Sequence, residues 1–150
     1  MSMQAAPQPR GFHTITPSLP VIGAKAAVEF YGEVFGATVL ERHDEADGTI
    51  SNVILKIGDS PLMLSDETSA HYREHAQEGW ARSPAPPRGA SASMYVYVPD
   101  VDEVFRRAIS AGATPIAPVA DQPWGDRLGG FRDPFGHIWS VATHIAVMAH

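Results

Sequence analysis

The chain has 150 residues, a formal net charge of −6, 44% hydrophobic and 19% charged residues, and no cysteine. That composition fits one globular domain or two mutually dependent half-domains, and it excludes wholesale disorder, disulfides, thiolate catalysis and Cys-ligated zinc or iron–sulfur centres. Eleven Lys and Arg mixed among seventeen Asp and Glu supply no basic face for nucleic acid.

No apolar run approaches the roughly 18–20 residues that cross a bilayer. Met1–Arg10, with its Gln, Pro and Ala, lacks the apolar core of a secretory signal, so a cytoplasmic protein with a flexible tail over residues 1–13 is expected. In chain order, Ile15–Val21 reads as a strand. Ala27–Thr38 follows as a short helical pattern closed by Gly36, a residue suited to a left-handed cap. Thr38-Val39-Leu40 begins an extended segment, and His43–Gly48 reads as a solvated hairpin connection without the oxygen spacing of a calcium loop. Val53–Ile57 then turns at Gly58-Asp59-Ser60 into Pro61–Leu64.

The second half repeats this order. Ser93–Val98 alternates Ser93, Tyr95 and Tyr97 on one face with Met94, Val96 and Val98 on the other, as a half-buried strand does. Glu103–Thr114 is again helical and again ends in Gly-Ala-Thr, with Gly112 standing 76 residues after Gly36. Thr114-Pro115-Ile116 is extended. Gly130–Arg132 turns at Asp133-Pro134-Phe135-Gly136 into His137–Ala142. The expected class is α+β: two βαβββ modules, 14–66 and 92–144, pairing into a cup-shaped mixed sheet with helices on its outer face. The linker spans 67–91, including the turn-rich Ser83–Gly89, and a C-terminal tail spans 145–150.

These marks resemble the vicinal oxygen chelate superfamily of glyoxalases, bleomycin-resistance proteins, extradiol dioxygenases and PhnB-like proteins. They are Glu29-Phe30-Tyr31, Phe35-Gly36-Ala37, Val98-Pro99-Asp100-Val101-Asp102, Ala111-Gly112-Ala113 and Asp133–Trp139. Trp124-Gly125-Asp126-Arg127 is most similar to the PhnB-like branch. The resemblance implies a cup in which metal-using members place four inward ligands, here at Thr16, Met63, Ser93 and Ser140. None of these is His, Asp, Glu or Gln, so no metal and no other cofactor is expected. The His and Glu that PhnB-like relatives carry on a third strand are matched by Asn52 and Ile54.

Tyr95 and Tyr97 are candidates for an aromatic platform under a flat or cationic ligand, against the alternative of ordinary cross-strand packing. Trp124 and Arg127 are candidates for the rim, and Asn52 or Arg127 for orienting the ligand; Arg127 has the alternative of bracing a turn. Trp139 is expected in the core. His71 and His75 lie at helical spacing but lack the Glu beside the first His that a zinc protease needs. They read as a solvated linker helix, while His137 and His144 read as solvent-facing or capping. His13 is placed near the cup edge. The expected function is metal-free binding of a small, partly aromatic molecule, much as bleomycin-resistance-like proteins sequester an antibiotic. A homodimer is expected, and neither nucleic acid nor a membrane is an expected partner. The acidic balance favours a cationic ligand. The alternative is a metal-dependent lyase, isomerase or glyoxalase-type enzyme of the same superfamily.

Overall fold

The computed structural model describes residues 6–76, 79–85 and 89–146. Its elements run β1 (Ser18–Val21), α1 (Ala24–Phe35), β2 (Thr38–Asp44), β3 (Ile50–Ile57), β4 (Ser60–Asp66), α2 (Ala70–His75), β5 (Ser93–Tyr97), α3 (Val101–Ser110), β6 (Thr114–Asp121), β7 (Asp126–Arg132) and β8 (Ile138–His144). Two units result. One comprises Met1–Gly32 with Gly36–Arg82, the other Glu33–Phe35 with Ser83–His150. Parts of the expected tails and of the Ser83–Gly89 stretch lie outside the described residues. No helix of the described residues is long and apolar enough to cross a membrane.

Each unit builds a four-stranded mixed sheet, in the orders β1-β4-β3-β2 and β5-β8-β7-β6. The first strand of each unit pairs in parallel with the last, and the other pairs are antiparallel. The architecture is α+β, two βαβββ modules, as the duplicated pattern implied.

In the first unit, period-two alternation buries Leu19, Val21, Val53, Leu55, Leu62 and Leu64 on one face. Helix α1 begins at Ala24, three residues before the sequence pattern suggests. The cause is a distant cap: buried Asp66, on β4, accepts from the Gly23 and Ala24 amides at 3.2 and 2.8 Å. In the second unit, α3 packs on β6, β7 and β8 and buries Val101, Val104 and Ala108. Asp100 caps it by accepting from the Glu103 amide at 3.2 Å. The strand reading at Gly130–Arg132 is too short, because β7 runs from Asp126. Glycines 129 and 130 hide it from propensity, yet Gly129 is required there. A Cβ on Gly129 would lie 2.7 Å from Val119 Cγ2 and 2.9 Å from Phe105 Cδ2.

The Asp133-Pro134-Phe135-Gly136 turn follows from one buried carboxylate. Asp133 Oδ1 accepts from the Phe135 and His137 amides at 2.8 and 3.0 Å, and Oδ2 accepts from Trp139 Nε1 at 2.8 Å. Trp139 is in the core, as its alternation with Ser140 required. His137 is buried rather than solvent-facing, because its amide is drawn under the turn.

Candidate functional site

On the second unit, β5 presents Tyr95 and Tyr97 on the face opposite α3. Their adjacent-strand neighbours are short: Tyr95 lies beside Ser140, with Gly130 beyond it, and Tyr97 beside Ala142, with the larger Leu128 one strand further away. With little side-chain bulk next to them, the rings stand clear, 45% and 62% exposed, with centroids 5.4 Å apart. Both hydroxyls donate to one carboxylate oxygen, Asp126 Oδ2, at 2.5 and 2.8 Å. Asp126 itself is 1% exposed. Register puts it opposite His144, whose Nδ1 lies 2.9 Å from Asp126 Oδ1. Trp124 Nε1 donates to the Tyr95 hydroxyl at 3.0 Å.

The electrostatics of this cluster are consistent with its geometry. The Tyr95 hydroxyl, then His144, hold the Asp126 carboxyl below its ordinary value. The hydrogen bond to that carboxylate pushes the Tyr97 phenol up to about 12. Burial first, and then Asp126, raise Tyr95. A carboxylate held ionised can only accept, so His144 Nδ1 carries the hydrogen in this contact. Four side chains from two strands and a turn are thus locked around one buried charge on a third strand, with aromatic surface outward.

In the first unit, Thr16 and Met63 line a cavity of about 520 Å³ on the sheet face carrying Ile54, with Leu40 and Glu41 from β2 and His13 from the segment before β1. His13 Nε2 also lies 3.2 Å from the Asp59 carbonyl. Asn52 lines a second cavity of about 190 Å³ with His71, His75 and Trp80, and its Oδ1 accepts from Ser65 Oγ at 3.1 Å. His71 and His75 lie on α2 with stacked rings 4.3 Å apart.

Arg127 lies on the other face of its strand from the tyrosines. Its guanidinium grips both oxygens of Asp102 on α3 at 2.9 and 3.0 Å, and Asp121 on β6 at 3.0 Å. Those two carboxylates raise its pKa. Ser93 and Ser140 share the tyrosine face, Ser93 beside Ile138 and Ser140 beside Tyr95. In the sequence, Asp126 stands out only within the Trp124–Arg127 mark and His144 only as solvent-facing or capping, so neither is a site candidate there. The available signal was alternation carried back along β7 from Arg132 through Gly130 and Leu128 to Asp126, which the double glycine obscures.

The four positions that the resemblance pairs with metal ligands carry three hydroxyls and a thioether. Neutral hydroxyls and thioethers do not satisfy a hard divalent ion, which takes carboxylate or imidazole donors. Among the described residues, no three His, Asp or Glu side chains come together in a metal-holding group. The donor set therefore does not fit the metal.

The sequence model of the Glyoxalase/Bleomycin resistance protein/Dioxygenase superfamily matches residues 11–141. An uncharacterized protein of Mycobacterium bovis is 36% identical over 131 residues, covering 87% of this chain and 83% of that protein. A Mycobacterium tuberculosis counterpart is equally identical over 74% of its length. Among solved structures, TioX from Micromonospora sp. ML1 is 32% identical with a TM-score of 0.62, covering 87% of this chain and 98% of that one. A glyoxalase-related enzyme from Fulvimarina pelagi shares the fold at 22% identity and a TM-score of 0.64, over 87% of each chain.

Proposed function

The chain belongs to the Glyoxalase/Bleomycin resistance protein/Dioxygenase superfamily, and from that premise we propose that it is a metal-free binding protein for a small, partly aromatic molecule. The observation that carries this reading is the exposed aromatic surface of Tyr95, Tyr97 and Trp124, fixed from below by hydrogen bonds to or through buried Asp126. A flat ligand laid on rings already held in place pays little to order them. It gains about 25 cal/mol for each Å² of apolar surface removed from water. The cavity of about 520 Å³ holding Thr16 and Met63 falls within the roughly 300–1,000 Å³ usual for small-molecule sites. Asn52 supplies a polar group at the neighbouring cavity.

Within the superfamily, Trp124-Gly125-Asp126-Arg127 favours the PhnB-like branch. We read the protein as a homodimer. Val39, Leu40 and Ile116 are exposed apolar residues on the edge strands β2 and β6, and such edges favour pairing with another copy. Light scattering behind size exclusion tests that point.

A thermal-shift screen of flat heteroaromatic compounds against chelator-treated protein tests the binding reading. Stabilisation without added metal, lost in the Tyr95→Ala/Tyr97→Ala variant, is the expected result. Stabilisation only by divalent metals would overturn it.

A further inference from the structure

Resting on the flat-ligand reading, we propose that this ligand carries a carboxylate, held by Arg132 with Ser93 and Ser140. In other words, the tyrosine face binds an anion at positions where metal-using relatives hold a cation.

Arg132 is the last residue of β7 and lies beside Ile138, which lies beside Ser93. One step along the strands, Gly130 lies beside Ser140, which lies beside Tyr95. Register therefore places Arg132, Ser93, Ser140, Tyr95 and Tyr97 on one sheet face, opposite α3. Gly130 puts no side chain between Arg132 and the tyrosines.

The guanidinium is poorly satisfied where it lies. Its Nη1 is buried and has no hydrogen-bond partner, and Arg132 makes no ion pair among the described residues. The other arginines near this sheet are engaged. Arg127 holds two aspartates, and Arg107 donates through Nη2 to the Val34 carbonyl at 3.1 Å, although its Nε, like Arg132 Nη1, is buried without a partner among the described residues. A buried donor without an acceptor is costly, so one that is kept calls for a reason, and an acceptor arriving from outside supplies one. The planar fork of a guanidinium matches a carboxylate through two parallel hydrogen bonds. Ser93 and Ser140 add hydroxyls that donate to an anion as readily as they fail to hold a divalent cation.

The negative charge nearest along this face is Asp126, three two-residue steps away. Tyr95, Tyr97 and His144 already surround it with donors. The net charge of −6 slows an anion's approach but does not decide what the face retains. The local residues thus argue for the opposite ligand sign from the one the overall charge favours.

Calorimetric titration of chelator-treated protein with naphthoate and with naphthamide tests the proposal, because the pair differs in charge while sharing the flat ring. Naphthoate should bind about ten-fold more tightly, a difference of about 1.4 kcal/mol. Arg132→Met should bring the two within about two-fold by weakening naphthoate alone. Because that variant removes an unsatisfied donor, its melting temperature should equal or exceed that of the unmodified chain. Equal binding of both compounds would overturn the anion site and leave the flat-ligand reading standing. A naphthoate preference that survives Tyr95→Ala/Tyr97→Ala with undiminished affinity would do the reverse. A preference unchanged in Arg132→Met, or a large fall in that variant's melting temperature, would show that Arg132 serves the fold instead. Binding of neither compound would count against both readings.

Discussion

Replacing Asp133 with alanine should cost the second unit about 3–5 kcal/mol of stability. Its carboxylate accepts from three donors: two turn amides at 2.8 and 3.0 Å and the indole N–H of Trp139 at 2.8 Å. Hydrogen bonds to a charged group contribute about 1.5–3 kcal/mol each. The turn amides relax toward water when the acceptor goes, but the indole is in the core and has no such route, so the sum falls below three full bonds. Asp133→Asn separates the terms. With its oxygen toward the amides, its NH₂ confronts the indole N–H, which should cost about 1–3 kcal/mol. Trp139→Phe in that background removes the confrontation, so the double variant should lose less than the two single losses combined. Urea denaturation followed by far-ultraviolet circular dichroism measures the unmodified chain, the three single variants and the double variant. An Asp133→Ala variant within about 1 kcal/mol of the unmodified chain would refute this account of the turn.

Three further outcomes follow from the same structure. Tyr97, pushed up to about 12 chiefly by its bond to Asp126, favours its neutral form in the folded state. That contribution is full below the ordinary value of 10 and is lost as pH rises through about 12; spectrophotometric titration should show one late tyrosine that Asp126→Asn makes titrate earlier. Asp126 has the opposite sign. Its carboxyl is held below 3.8, so its stabilisation is full above that value and fades as pH falls through the lower folded-state value, a decline in urea midpoint that Asp126→Asn should lack. Gly136→Ala should destabilise by about 1–3 kcal/mol, because φ is +94° and a Cβ would lie 2.6 Å from the Pro84 carbonyl oxygen. By contrast, Gly32→Ala on α1, where the nearest atom would be 3.7 Å away, should stabilise by about 0.5–1 kcal/mol in the same thermal melt.

Legibility from sequence tracks how local each cause is. The two halves were visible because Gly36 and Gly112 each end a helix and because Ser93–Val98 alternates cleanly. The turn at Asp133 was visible because its residue types are dictated within five positions. The start of α1 was not, since its cap, Asp66, lies 42 residues beyond Ala24 in the chain. The reach of β7 was hidden by two glycines, of which Gly129 makes room for Val119 and Phe105, a tertiary reason that propensity cannot express.

The candidate site divides along the same line. Tyr95, Tyr97 and Trp124 could be picked out as aromatic residues with a face or a loop to themselves. The structure joins them through Asp126, whose place in the β7 alternation the double glycine obscures, and adds His144 from the far end of β8. Arg127 attracted attention as a lone cation in a loop, and strand register turns it toward Asp102 and Asp121. Arg132, one of only eleven basic residues, drew none, because an orphaned donor becomes visible only when its neighbours are known.

The most direct test is calorimetry on chelator-treated protein with whichever flat compound the screen returns, repeated with manganese, nickel or zinc restored and with Tyr95→Ala/Tyr97→Ala. The account predicts one affinity, indifferent to metal and abolished when the two rings are removed. An affinity that requires the metal, or that persists without the rings, would contradict it.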